Sequence, residues 1–216
     1  MTRLLRPRLL LADDHRMVAE GLKSLLSSEF ELLDLVEDGR ALVAAAKRLR
    51  PDVIVADITM PHLNGIDALR QLKKDDPSVK VVFLTMHQEV AYARRALEAG
   101  ASGFVLKHSA PAELITAIRA ALSGKTYITP ALAGEVFHAL QHEPQQTEDP
   151  AAKLTPRQRE ILQLLAEGRS AKEIASTLAI SSRTVEFHKY QMMETLGLHH
   201  SAELVHFAIK HGIVAI

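Results

Sequence analysis

The chain has no cysteine, no long apolar run and no excess of one charge sign. The absence of cysteine among 216 residues excludes disulfides and thiolate-bound metals. A membrane-spanning helix needs a run of about 18 or more apolar residues, and no such run is present. The stretch before Pro7 is too short for the apolar region of a secretory signal. We therefore expect a cytoplasmic protein with no membrane partner.

Charge is balanced over the whole chain and nearly balanced in its last part. There are 26 Lys and Arg against 26 Asp and Glu, and residues 153–216 carry eight against six. A strongly basic domain is the usual footprint of a nucleic-acid-binding protein, so charge alone does not identify one here. The length exceeds that of one average domain and predicts two.

Strand-like apolar runs alternate with amphipathic stretches of helical length over the first 122 residues. This alternation is typical of βα units, so it predicts an α/β fold with a five-stranded parallel sheet. The predicted strands lie near residues 8–12, 31–36, 52–57, 79–84 and 102–106. The predicted helices lie near residues 15–28, 39–49, 64–74, 88–99 and 110–122.

Polar residues of particular kinds end several of these strands: Asp13, Asp14, Asp57, Thr85 and Lys107. In an open parallel sheet the carboxyl ends of the strands meet at one edge, so these side chains are expected to converge. Three carboxylates repel one another unless a hard cation such as Mg²⁺ joins them. Lys107 and Thr85 supply donors for an anion, and Asp57 is placed to act as a nucleophile in phosphoryl transfer.

These segments resemble the receiver domain of response regulators. The resemblance implies a flavodoxin-like sheet of order 2-1-3-4-5. It also implies Asp57 as phospho-acceptor, Asp13 and Asp14 as Mg²⁺ ligands together with Asp57 and the backbone carbonyl of Thr59, and Lys107 as the contact to the phosphoryl group. Thr85 and Phe104 would form the switch pair.

The composition changes after Ser123 and becomes polar and proline-bearing towards Pro150. Such a segment buries little apolar surface, which is typical of a linker. We predict a receiver domain over residues 7–123, a linker over 124–152 with a possible short helix over 130–140, and a second domain over 153–216.

Two capping boxes mark helix starts in the last part of the chain, one from Thr155 to Gln158 and one from Ser170 to Glu173. A further helix begins at Ser182, after a short turn. This arrangement predicts a small all-α unit with a helix-turn-helix. The segments 154–160 and 182–188 resemble the LuxR-type output domain of the NarL/FixJ class of response regulators.

The third helix of this unit is expected to read DNA. Its spacing predicts that Val185, His188, Met192 and Leu196 face inward. Residues on the remaining surface become candidates for base contacts, namely Glu186, Phe187 and Tyr190, and for phosphate contacts, namely Arg183, Thr184 and Lys189. Lys172, on the helix before it, is a further candidate for a phosphate contact.

The resemblance implies a two-component transcription regulator rather than an enzyme, with at most slow self-dephosphorylation. Its expected partners are a sensor histidine kinase, a double-stranded DNA operator, a second copy of the chain after phosphorylation, and RNA polymerase. One alternative is a regulator with a vestigial receiver, whose DNA binding does not depend on phosphorylation. Another is an Asp-nucleophile phosphatase, but such an enzyme carries a general acid two residues after the nucleophile, where this chain has Thr59.

Overall fold

Parallel strands rich in Leu, Val and Ile form the sheet of the first of two compact units. The computed structural model describes residues 6–109, 111–142 and 150–214, without the side chains of residues 140–142. The strands among these residues are β1 Arg8–Ala12, β2 Glu31–Val36, β3 Val53–Ala56, β4 Val81–Thr85, β5 Gly103–Leu106 and β6 Tyr127–Ile128. Their order is β2-β1-β3-β4-β5-β6. The predicted order of the first five strands is confirmed, and the short β6 is an addition to the predicted five-stranded sheet.

Helices alternate with these strands: α1 Arg16–Leu26, α2 Gly39–Leu49, α3 Gly65–Asp75, α4 Val90–Glu98, α5 Pro111–Leu122 and α6 Pro130–His142. Helices α1 and α5 pack on the face of the sheet that carries Leu9, Val55 and Val105. Right-handed crossovers place α2, α3 and α4 on the other face. Because the sheet is covered on both faces, the loops at its carboxyl edge are where polar side chains can gather.

The segment predicted as a linker contributes to this first unit. Tyr127 and Ile128 pair in parallel with Gly103 and Phe104 of β5, and α6 packs against α4. The predicted short helix over 130–140 corresponds to α6, which continues to His142. The remaining part of the predicted linker, residues 143–149, lies outside the described residues.

Within residues 150–214, the regular elements of the second unit are helices. A 3₁₀ turn at Pro150–Lys153 precedes α7 Pro156–Ala166, α8 Ala171–Leu178, α9 Ser182–Leu196 and α10 Ser201–Lys210. Both predicted capping boxes are present, so the side chains of Thr155 and Ser170 satisfy backbone N–H groups at the starts of α7 and α8. The core contains Ile161, Ile174, Val185, Met192 and Leu204.

Within residues 6–109, 111–142 and 150–214, every helix falls short of the length and apolarity that a bilayer span requires.

Candidate functional site

The carboxyl edge of the sheet holds an ammonium group between two buried carboxylates. Lys107, which follows β5, places its Nζ 2.6 Å from Asp57 Oδ2 and 2.8 Å from Asp13 Oδ2. Asp13 follows β1 and Asp57 follows the neighbouring β3, while the long lysine side chain reaches them from β5. Residues far apart in sequence thus meet because three strands end at the same edge. The structure therefore brings together three of the residues predicted from the sequence.

Asp57 is held in a fixed orientation. Its Oδ1 accepts a hydrogen bond from the backbone N–H of Ile58 at 2.6 Å, and its Oδ2 accepts one from Lys107. Burial raises the pKa of the Asp57 carboxyl above its ordinary value, and the nearby Lys107 offsets only part of that rise. The charge of Asp13 raises the pKa of Asp57 further. Burial and the charge of Asp13 thus destabilise the ionised form of Asp57. Additional positive charge near its carboxylate would stabilise that form.

Lys107 stays protonated in this environment. Burial alone would lower the pKa of its ammonium group, but the Asp57 and Asp13 carboxylates together raise that pKa above its ordinary value. The Lys107 side chain is only 7% exposed. A buried, fixed positive charge beside a carboxylate is suited to binding an anion attached to that carboxylate.

The acidic cluster also fits a hard divalent cation. Ligand atoms of Asp13, Asp14, His15 and Asp57 lie within 4.8 Å of one another. Among the described residues, Asp14 Oδ1 is buried and accepts no hydrogen bond, although His15 Nδ1 lies 2.9 Å away. A buried carboxylate oxygen without a donor is costly unless a cation completes its environment. The cluster can therefore hold a metal ion, and its carboxylate donors match a hard one.

The two predicted switch residues are both fully buried. The Thr85 hydroxyl at the end of β4 accepts the backbone N–H of His87 at 3.2 Å, so its own hydrogen is available to another acceptor. Phe104 in β5 pairs with Phe83 of β4 and has no exposed surface. Both members of the predicted switch pair thus lie inside the sheet, without exposed surface.

Thr59 and His87 form a contact that sequence reasoning missed. Thr59 Oγ1 lies 2.7 Å from His87 Nε2, and the His87 ring stacks on Tyr92 of α4 with a centroid distance of 4.0 Å. The loop after β3 is thus joined to the loop after β4 and to α4. A usable signal was the position of His87, two residues beyond a strand-ending Thr85 that was itself assigned to the pocket.

Gly65 is a second residue whose importance sequence reasoning missed. It begins α3, and its N–H donates to the carbonyl of Ile58 at 2.8 Å. A Cβ at this position would collide with the backbone oxygen of Asp57 and would lie 2.9 Å from the Phe83 ring. Only glycine lets α3 begin this close to the strand end that carries Asp57.

The predicted DNA-contacting residues occupy α9 and the start of α8. Phe187 and Tyr190 are 57% and 66% exposed, while Val185 and Met192 on the same helix are fully buried, as the spacing predicted. Lys172 and Arg183 are exposed, and the Thr184 hydroxyl lies 2.8 Å from that of Ser181, the N-cap of α9. Glu186 and Lys189 form an ion pair at 3.4 Å. Helix α9 thus presents two aromatic rings and several polar groups on one surface.

Arg157 connects α7 to the end of α8. Its guanidinium donates to the carbonyl of Leu178 at 2.9 Å and to Glu160 at 2.7 Å. The carbonyls in the last turn of a helix lack partners within it, so this contact satisfies one of them just before the turn to α9. Arg157 therefore stabilises the end of α8 by joining it to α7.

Each of the two units matches a known protein family. Residues 9–119 match the response regulator receiver domain, and residues 152–208 match the LuxR family of bacterial regulatory proteins. The transcriptional regulatory protein MctR of Rhizobium johnstonii is 36% identical over 217 residues, which cover 100% of this chain and 99% of MctR. The chain belongs to the LuxR-type response regulators.

Two further relatives are similar to this chain over nearly its full length. UvrY of Escherichia coli is 34% identical over 94% of each chain. The structure of RcsB from Salmonella enterica serovar Typhimurium, bound to promoter rprA in the presence of the phosphomimetic BeF3-, superposes with a TM-score of 0.57. That likeness has 28% identity and covers 94% of this chain and 98% of RcsB. The protein is thus a two-component transcription regulator with a receiver domain and a helix-turn-helix domain.

Proposed function

We propose that a sensor histidine kinase phosphorylates Asp57 and that this modification controls dimerisation and binding to a DNA operator. The observation that carries the proposal is the contact of Asp57 with Lys107 inside a pocket that also holds Asp13 and Asp14. The nucleophile, its counter-charge and an acidic cluster that fits a cation are all present. The presence of all these groups in one pocket argues against a vestigial receiver.

In the proposed transfer, a carboxylate oxygen of Asp57 attacks the phosphorus of a phosphohistidine on the kinase. The O–P bond forms as the N–P bond breaks, and the imidazole nitrogen keeps the electron pair and is protonated by solvent. Asp13, Asp14, Asp57 and the backbone carbonyl of Thr59 would hold Mg²⁺, which supplies positive charge near the phosphoryl oxygens when bound.

Lys107 and Thr85 respond to the new charge. The ammonium group of Lys107 already lies against Asp57 and can pair with a phosphoryl oxygen of the product. The hydroxyl of Thr85 can donate to another phosphoryl oxygen, which would draw the end of β4 towards the site. We propose Thr85 and Phe104, which lie on neighbouring strands, as the switch pair that responds to this movement.

For the output, we propose that α9 enters the major groove. Glu186, Phe187 and Tyr190 would contact base edges, while Lys172, Arg183, Thr184 and Lys189 would contact phosphates. The exposure of Phe187 and Tyr190 supports this assignment, as does the promoter-bound state of RcsB. A homodimer would match paired half-sites of the operator. A contact with RNA polymerase stays a prediction. We propose that the protein acts in the cytoplasm.

We propose no enzymatic role beyond slow self-dephosphorylation. An Asp-nucleophile phosphatase would need an acid two residues after Asp57, and Thr59 stands there with its hydroxyl against His87.

The test is intact-mass measurement after incubation with acetyl phosphate and Mg²⁺, followed by titration of an operator selected from random duplexes. We expect the wild type to gain one phosphoryl mass and to bind the operator more tightly after it. Asp57→Asn should show neither change, and the control Asp75→Asn, at an exposed carboxylate paired with Lys47, should behave as wild type. Equal operator affinity of the phosphorylated wild type and Asp57→Asn would refute control by phosphorylation.

A further inference from the structure

The carboxyl end of β5 is held from both sides. On one side, the backbone N–H of Lys107 donates to the carbonyl of Thr85 on β4 at 2.8 Å. On the other side lies Thr129, the residue that follows β6. Its backbone N–H donates to the carbonyl of Phe104 at 2.9 Å, and its side-chain hydroxyl accepts the N–H of Leu106 at 3.2 Å. The strand end that carries Lys107 is thus bonded to a residue outside the five βα units.

The hydroxyl of Thr129 continues the β-ladder after β6 has ended. Register pairs join Gly103 to Tyr127 and Phe104 to Ile128, the last residue of β6. The next N–H along this edge of β5, that of Leu106, lies beyond the end of β6, and the Thr129 oxygen serves as its acceptor. A buried N–H without an acceptor is costly, so this side chain contributes to the position of the strand end.

Glu113 of α5 anchors the same hydroxyl. Thr129 donates to Glu113 Oε1 at 2.7 Å. Thr129 is almost completely buried, so this hydroxyl has a donor, an acceptor and little access to water. Loss of the hydroxyl would leave both Leu106 and Glu113 without these bonds.

Helix α6 begins immediately after Thr129. Its residues Leu132 and Val136 are buried, and the helix packs against α4. A shift at the end of β5 therefore has a short path of hydrogen bonds and packed side chains into α6, from which the chain continues to the DNA-binding unit.

We propose that Thr129 is a positioning residue of the phosphorylation pocket, which holds the end of β5 so that Lys107 meets Asp57 and which passes movement of that strand to α6. This inference rests on the proposed phosphorylation of Asp57. Thr129 acts through Lys107 and does not itself contact the phosphoryl group.

The experiment compares full-length wild type with Thr129→Val, which keeps the shape but removes the hydroxyl, and with Thr129→Ser, which retains the hydroxyl. The matched control is Thr116→Val on α5, where an exposed hydroxyl donates to the Ala112 carbonyl of its own helix at 2.8 Å. Two quantities are measured: the rate of mass gain with acetyl phosphate and Mg²⁺, and hydrogen exchange of peptides over residues 130–142 before and after phosphorylation.

Thr129→Val should slow phosphorylation about tenfold, whereas Thr129→Ser and Thr116→Val should stay within about twofold of wild type. Phosphorylation should change exchange over residues 130–142 in the wild type, the serine variant and the control. In Thr129→Val this change should be absent even when the adduct has formed completely. A purely structural role would lower the melting temperature and leave the exchange response of the phosphorylated protein intact.

If Thr129→Val does not fold, Glu113→Leu replaces it, since this change removes the acceptor that holds the Thr129 hydroxyl in place beside the N–H of Leu106. The same loss of the α6 response is then expected. A wild-type rate and a wild-type exchange response in the folded variant would overturn the inference. Failure of the wild type to gain a phosphoryl mass would instead refute the proposed function, and this inference with it.

Discussion

The two units present their candidate functional side chains in opposite ways. In the receiver, Asp57, Asp13 and Thr85 are buried at the ends of different strands, whereas Phe187 and Tyr190 of the DNA-binding unit lie exposed on a single helix. A site that stabilises charge benefits from a low local dielectric and fixed partners. A surface that reads a groove needs side chains that are free to meet base edges. The comparison indicates that tight packing fixes the side chains of the first kind of site, whereas the side chains of the second kind must stay exposed to solvent.

The close approach of α3 to Asp57 gives the strongest way to break the receiver alone. Gly65→Ala should lower the free energy of unfolding of this unit by about 3 kcal/mol, because the added methyl meets backbone. Gly21→Ala is the control, since nothing lies within 4 Å of a Cβ there, and alanine should stabilise α1 by about 0.5–1 kcal/mol. Urea titration followed by circular dichroism measures both. Similar stability of the two variants would mean that the loop after β3 can move to accommodate the added methyl group at little cost in free energy.

Removal of the buried charge tests the chemistry of the same unit. Lys107→Met should slow phosphorylation by acetyl phosphate about a hundredfold, because the product loses its fixed counter-charge. The exposed Lys125 provides the control, since Lys125→Met should retain the wild-type rate. Intact mass against time gives both rate constants. A rate within about twofold of wild type for Lys107→Met would remove this lysine from the reaction.

The opposite kind of site is tested at an exposed aromatic residue. Tyr190→Ala should weaken operator binding about tenfold, since one of the proposed base contacts is lost. Phe137→Ala is the matched control, because Phe137 is 62% exposed but lies on α6 of the receiver unit. Anisotropy titration at one fixed salt concentration measures both affinities. Equal losses in the two variants would contradict the assignment of recognition to α9.

The smallest expected effect concerns the stability of the receiver as a function of pH. The folded-state pKa of Asp57 is raised above its ordinary value of 3.8, first by burial, so the fold disfavours the ionised form. At neutral pH and without divalent cations, Asp57→Asn should therefore raise the melting temperature. The gain should shrink as the pH falls towards 3.8 and the wild type becomes protonated.

Calorimetry of both proteins, with Asp75→Asn as an exposed control, measures this effect. Added Mg²⁺ should stabilise the wild type more than Asp57→Asn, because the proposed Mg²⁺ site consists of carboxylate oxygens that the folded state brings together. A lower melting temperature of Asp57→Asn than of wild type, at neutral pH without metal, would contradict the expected direction of the change.

Local patterns predicted much of the fold. The predicted strand near residues 52–57 corresponds to Val53–Ala56, and the predicted helix near 39–49 corresponds to Gly39–Leu49. Both capping boxes mark the true starts of α7 and α8. These features depend on apolar periodicity and on side chains that bond to backbone a few residues away, so nearby sequence carries the information.

Other features depend on contacts that no local pattern records. Strand β6 has only two residues, too few for an alternating pattern, and it exists because the edge of β5 offers N–H and C=O groups to pair with. The bond between Thr59 and His87 joins residues that are 28 positions apart. The need for glycine at position 65 comes from the backbone oxygen of Asp57, which a Cβ would strike.

The sequence by itself determined the order of the elements, the identity of the strand-ending residues Asp13, Asp57, Thr85 and Lys107, and the exposed and buried faces of α9. These follow from periodicities of two and 3.6 residues and from the parallel arrangement of βα units. Only the tertiary structure decided that Lys107 lies between Asp57 and Asp13, that Phe104 is buried, and that Thr129 secures the end of β5. The reason is that hydrogen bonds and charge pairs across a sheet are sensitive to differences of a few tenths of an ångström in distance. Packing sets these distances, and sequence spacing does not.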